Sequence, residues 1–186
     1  MKMKLNHNFE YAVSPVIGVL LMLVVTIIIA AIVSGFAGGL TGGADKIPKA
    51  TISGEYIQNG YMSVSHTGGD SLSTRNTRLV VRLSNEFGDV DYMSWDVNKT
   101  VITNTSSATP GSANAWVKTG GVTGIGVWKP GETMYVPAAG LPYIQTTSVS
   151  QTYWLNNTAN LGKSFWIELY DVSGKMIAKT QAKITS

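Results

Sequence analysis

VIGVLLMLVVTIIIAAIVSGFA, residues 16–37, decides the architecture of this chain. The 22 residues hold 13 Val, Ile or Leu, with Met22 and Phe36, and otherwise only Gly, Ala, Ser and Thr. Wound into a helix they span roughly 33 Å, which matches a hydrocarbon core of about 30 Å. A cleavable secretory signal has an apolar core of only about 7–15 residues. A soluble helix that is apolar on every face must be buried on every face, and the 142 residues from Asp45 onward are too few to wrap it. The run is a membrane-competent segment.

Working outward, no charged residue occurs between Tyr11 and Ala44. Lys2 and Lys4 precede the run, offset by Glu10, and the next basic residue is Lys46. The positive-inside rule therefore places the N-terminus in the cytoplasm and Asp45–Ser186 outside. Behind the run, Gly38-Gly39-Leu40-Thr41-Gly42-Gly43 has nothing to bury and reads as a helix terminator and flexible neck, residues 38–46.

From there the texture changes. Ser, Thr and Asn supply 41 of the last 142 residues, and 14 of the 17 aromatics lie among them. Apolar residues alternate with period two: Phe165, Ile167 and Leu169 share one face, Met176, Ala178, Ala182 and Ile184 another, and Leu79, Val81 and Leu83 a third. Asn59-Gly60 predicts a tight hairpin between Thr51–Ile57 and Tyr61–His66. Ser173-Gly174 joins the last two strands, and Lys129-Pro130-Gly131-Glu132 turns the chain into Thr133–Val136. The expected fold class is α+β: a long N-terminal hydrophobic helix at 12–37, then an all-β, Ig-like antiparallel sandwich at 47–186 built from seven or eight short strands.

Composition removes several function classes. Charged residues are 13% of the 186-residue chain and the formal net charge is +3, too small and too scattered for a nucleic-acid partner. The 44% hydrophobic content excludes a disordered polyelectrolyte. Without cysteine, disulfides, thiolate metal sites and thiol nucleophiles are all out of reach. Of two histidines only His66 lies beyond the leader, and no nucleophile elbow, phosphate-binding loop or paired-histidine metal motif occurs. The chain reads as no enzyme, with no cofactor.

A few residues still invite chemistry. His66-Thr67-Gly68-Gly69-Asp70 reads as a strand end and glycine turn, with Asp70 bonded to nearby backbone amides. Among Glu86, Asp89, Asp91 and Asp96, the pair Asp89 and Asp91 would share a strand face and is a weak candidate for a hard cation. The five Trp are weighed as a sugar platform against the commoner core role. Asn98-Lys99-Thr100, Asn104-Thr105-Ser106 and Asn156-Asn157-Thr158 are sequons, the first two within a polar loop.

The most specific signal is Ala12-Val13-Ser14-Pro15-Val16-Ile17-Gly18-Val19-Leu20-Leu21-Met22. With the short charged leader ahead and the Ala, Phe and Gly at the helix end, it resembles the N-terminal signature of archaeal type IV pilins, of the class III prepilin type. His66–Leu72 also looks like a motif of such pilins' outer domains. The resemblance implies that a prepilin peptidase cuts the leader, residues 1–11, between Tyr11 and Ala12, although Tyr is an unusual residue before that bond. It implies a helix that leaves the membrane to pack in the core of a homopolymeric filament, with an assembly ATPase and a membrane platform protein as partners. Gly18, Ala30, Ala31, Ser34 and Gly35 are the small residues that would let helices approach closely. Archaellins of the motility filament begin with a Gly-Ile-Gly-Thr-like stretch instead, which favours a surface or adhesive pilus. The other expectation carried forward is a single-pass membrane-anchored surface protein whose β-domain binds a ligand or carbohydrate.

Overall fold

The computed structural model describes residues 15–40, 46–90, 92–145 and 148–186. It divides into two compact units, Met1–Lys46 and Ile47–Ser186.

The first unit is helix α1, Pro15–Leu40. Pro15 stands at its first position, where the missing N–H would have had no intrahelical partner. The expected terminator does not stop it, because Gly38 and Gly39 form part of the last turn. A glycine costs a helix only about 1 kcal/mol, and a helix already propagated through the apolar run absorbs that. The residues expected to make the rest of the neck, 41–45, lie outside the described residues.

The second unit is the β-domain. Its strands are β1 (Ala50–Ile57), β2 (Tyr61–Gly69), β3 (Leu72–Ser73), β4 (Thr77–Leu83), β5 (Ser94–Asp96), β6 (Val127–Trp128), β7 (Thr133–Pro137), β8 (Ser164–Asp171) and β9 (Met176–Thr185). The α+β class holds, with a long apolar helix ahead of a β-domain. The arrangement of strands is different from two stacked antiparallel sheets. Seven strands form one sheet in the order β5-β4-β8-β9-β1-β2-β7, and β3 and β6 form a separate ribbon. Every neighbouring pair in the large sheet is antiparallel except β1 and β9, which run parallel and meet only at Tyr56–Ile184 and Ile57–Thr185. The first and last strands of the domain are thus joined at one end. A hydrogen bond from Gln58 N to Thr185 O (2.8 Å) and one from Thr185 Oγ1 to Tyr56 O (2.9 Å) close the joint.

Away from that joint the two halves of the sheet face one another. A Cβ at Gly54 of β1 would stand 2.6 Å from Ile167 Cδ1 of β8, so the two halves approach closely here and a larger residue would push that side chain aside. The ring of Tyr56 meets Phe165 edge-on at 5.5 Å. Ile52, Tyr56, Met62, Val64 and Val136 from one half and Leu79, Val81, Phe165, Ile167 and Leu169 from the other make one continuous core. The expected alternation is what lets each strand offer one face to it.

Between β5 and β6 the chain has no long strand, yet it is not a loose polar loop. Thr103 and Tyr135 exchange backbone hydrogen bonds of 2.7 Å, covering the free edge of β7. Trp116, in the same segment, is buried against Trp128 at 5.8 Å between rings. The bridge from Thr103 satisfies the donor and acceptor of Tyr135 on an edge that would otherwise offer them to another chain.

Candidate functional site

The feature that asks for a partner is α1. Val16–Ala37 is long and apolar enough to cross a membrane, with a mean hydropathy of 3.3 and none of it buried within the chain. Its large side chains are exposed on all sides, from Val25 at 45% to Met22 at 72%. Thr26 hides its hydroxyl by donating to Leu23 O (2.8 Å), the usual way for a hydroxyl to enter an apolar medium. On the translocon scale the 13 Val, Ile and Leu favour insertion by roughly 4–8 kcal/mol.

The helix does not gather all its expected packing residues on one face. At about 100° per residue, Ala30, Ala31, Ser34 and Gly35 fall within an arc of about 140°, while Gly18 lies about 170° from the arc's centre. A Cβ at Gly18 or Gly35 meets nothing within 4 Å. Within the single chain neither glycine is required by packing. The expected cleavage residues Tyr11 and Ala12 lie outside the described residues.

Residues 11–52 match the family model for the N-terminal region of archaeal type IV pilins. Over this stretch the chain is similar to the N-termini of archaeal type IV pilins. The match begins one residue before Ala12, spans α1, and ends inside β1 at Ile52, so it bears out the resemblance read from Ala12–Met22. No curated protein matches the chain.

In the β-domain the segment His66–Asp70 is held into the fold by its own contacts. His66 is buried, its Nε2 is 2.9 Å from Asp70 O, and its ring meets Trp128 edge-on at 5.2 Å. A carbonyl only accepts, so Nε2 donates in that bond, and Nδ1 has no partner among the described residues. Gly69 adopts φ +104°, and a Cβ there would be 2.2 Å from Lys49 O. Asp70 Oδ2 accepts from Lys49 N (3.1 Å), and Asp70 N donates to Lys49 O (2.7 Å). The motif staples the end of β2 to the start of β1.

Among the described residues the acidic side chains of Glu86 and Asp96 have separate partners. Glu86 accepts from Ser164 N (2.5 Å) and Asp96 pairs with Arg78 (2.6 Å). Asp89 follows a short 3₁₀ turn at Asn85–Phe87 and is not on a strand, and Asp91 lies outside the described residues. Among the described residues no three His, Asp or Glu side chains come together to hold a metal.

The three sequons differ. Asn98 and Asn104 are exposed. Asn156 is exposed too, but its Nδ2 donates to Asn59 Oδ1 (3.1 Å) while its Oδ1 accepts from Asn59 N (3.1 Å), pinning the β1–β2 turn. A glycan there would take the nitrogen that holds the turn. Of the tryptophans, Trp116 and Trp128 are core, and Trp95, Trp154 and Trp166 are half-buried.

One cluster gave no sequence signal beyond a glutamate in a strand. Glu168 of β8 is 1% exposed, although it lies on the face of the sheet away from the core. Arg82 reaches both its oxygens at 3.1 Å, Lys179 stands at 3.0 Å and Tyr170 Oη donates at 2.9 Å. Burial alone would raise this carboxyl, but the hydrogen bonds from Lys179, Tyr170 and Arg82 outweigh it and hold the carboxyl below its ordinary value.

Proposed function

We propose that the chain is a structural subunit of an archaeal type IV-like surface filament. A prepilin peptidase cuts at or next to Tyr11–Ala12. The precursor waits in the membrane with Lys2 and Lys4 inside, and an assembly ATPase and membrane platform protein then move α1 into the filament core. The β-domain stays outside, forming the filament surface used for adhesion or contact, with Asn98 and Asn104 as its accessible glycosylation sites. The observation that carries the reading is a charge-free helix with no side buried in its own chain, lying within the segment that matches the pilin N-terminus.

A plain single-pass anchor would need the same apolar length but no small residues clustered near its outer end. The arc of Ala30, Ala31, Ser34 and Gly35 therefore favours helix–helix packing over lipid alone. Electron microscopy of sheared surface filaments, with terminal sequencing and mass spectrometry of their subunit, tests the reading. The expected result is this chain as a filament component, beginning within a residue or two of Ala12. Recovery only as a membrane-bound monomer with Met1 intact would overturn it, and rotation-driven swimming lost on deletion would favour a motility filament.

A further inference from the structure

A groove of about 810 Å³ runs between β5 and the segment around Tyr143. Two aromatic residues line it: Trp95, half-buried, and Tyr143, 65% exposed. Its polar lining is Ser94, Asp96, Asn98 and Gln145. This size and this mixture, with apolar rings and a few convergent polar groups, are those of a small-molecule site.

The walls are held in place before any ligand arrives. Gln145 donates from Nε2 to Tyr153 O (3.0 Å) and accepts at Oε1 from Leu155 N (2.8 Å). Thr100 donates to Asn98 Oδ1 from both its backbone N (3.0 Å) and its hydroxyl (2.9 Å). That fixes the Asn98 amide and leaves its Nδ2 without a partner among the described residues.

The chemistry narrows the occupant. No Lys or Arg lines the groove, and the one carboxylate, Asp96, is neutralised by Arg78 at 2.6 Å, so a charged ligand finds no counter-ion. β5 has only three residues, too short an edge for strand addition by a peptide. A lipid tail would strand Ser94, Asp96 and Asn98 against hydrocarbon. A polyhydroxylated ring suits both halves of the lining, with its C–H face on an aromatic ring and its hydroxyls on amide and hydroxyl groups.

We propose that this groove binds a neutral saccharide, stacked on Trp95 and Tyr143 and hydrogen-bonded by Asn98. The proposal rests on the reading of the β-domain as surface-exposed, and it stands or falls separately from filament assembly. The sugar has two sources: a glycan carried by Asn98 itself, or a glycan of another surface.

The experiment uses the full chain, made in a bacterial host that adds no N-glycan and held in a zwitterionic detergent without a sugar headgroup. Glucose, galactose, mannose, N-acetylglucosamine and N-acetylgalactosamine are titrated by saturation-transfer NMR and tryptophan fluorescence. At least one is expected to bind in the millimolar range. Tyr143→Ala should weaken it by about tenfold, while Trp166→Phe, on a strand that does not line the groove, leaves it unchanged. In chain from the native host, mass spectrometry of the Asn98 peptide separates the sources. If Asn98 carries the sugar, free sugar binds the bacterially made chain but not the chain from the native host; if it does not, both bind free sugar and the groove is open to outside glycans. Failure of all five sugars to bind the unmodified chain overturns the proposal, whatever Asn98 carries.

Discussion

Gly35→Ile separates insertion from assembly, because within one chain it should do no harm. A Cβ at Gly35 meets nothing within 4 Å, so the larger side chain displaces no neighbour. Isoleucine favours the helix over glycine by about 0.5 kcal/mol and favours the bilayer by a similar amount, so insertion should improve by about 1 kcal/mol. In a filament the sign reverses. If the arc of Ala30, Ala31, Ser34 and Gly35 meets a neighbouring helix, four added carbons overpack that contact, at about 1–3 kcal/mol. A penalty near 2 kcal/mol per subunit raises the critical concentration for assembly about thirtyfold. Gly35→Ala, which stays small, should assemble nearly as the parent does. Resistance to alkaline carbonate extraction measures insertion, and counting sheared filaments by electron microscopy measures assembly. Filaments of the Ile variant at parental abundance would refute the placement of this arc in a helix–helix contact.

The β-domain alone, residues 47–186, should be folded, rich in β-structure and monomeric by circular dichroism and light scattering, since its core closes without α1; defined oligomers would move assembly into the β-domain. Gly69→Ala should destabilise that domain by at least about 2 kcal/mol, from a positive φ and a Cβ driven into Lys49 O, and an unchanged urea midpoint would contradict the staple. Glu168→Gln should cost about 1–3 kcal/mol, toward the low end because Arg82 and Lys179 keep access to water. Because the folded Glu168 carboxyl titrates below its ordinary value, its contribution is complete above about pH 4.3 and is lost as pH falls below that through the folded value. A parent whose urea midpoint drops no more on acidification than that of the Gln variant would show that the carboxylate adds nothing.

Local chemistry was the legible part. The hairpin at Asn59-Gly60 stands where expected, with Asn59 at φ +59°, because a tight turn constrains the few residues that form it. The turns at Lys129–Glu132 and Ser173-Gly174 are closed by the hydrogen bonds Glu132 N to Lys129 O (3.1 Å) and Gly174 N to Asp171 O (2.9 Å). Strand faces were legible because alternation reports what each strand buries. What alternation does not report is the partner. The parallel joint of β1 with β9 links Tyr56 to Ile184 across the length of the domain, and nothing near either residue announces it. Trp116 is core because a polar segment folds across the edge of β7. Glu168 is buried because three strands bring Arg82, Lys179 and Tyr170 to one spot. The groove at Trp95 is likewise made by segments far apart in the chain. Sequence marked Asn98 as a sequon without showing that it borders a cavity.

Hydropathy alone does not distinguish a helix bound for a filament from one that stays in lipid, and the reason bears on how assembly is driven. Lipid tails are as apolar as leucine, so exchanging lipid for neighbouring helices gains almost no hydrophobic free energy. The roughly 4–8 kcal/mol that would favour α1 in a bilayer would simply be retained if identical helices surrounded it. What must come from the filament is packing, and that depends on small residues that let backbones approach. The route between the two environments is the difficult step, since any passage of α1 through water forfeits that same 4–8 kcal/mol. A subunit of this kind therefore needs either an unbroken apolar path from membrane to filament base or work supplied by an ATPase, and the proposed machinery offers both. The β-domain core closes within the single chain and without α1, so a filament would gain its helix contacts without opening that core.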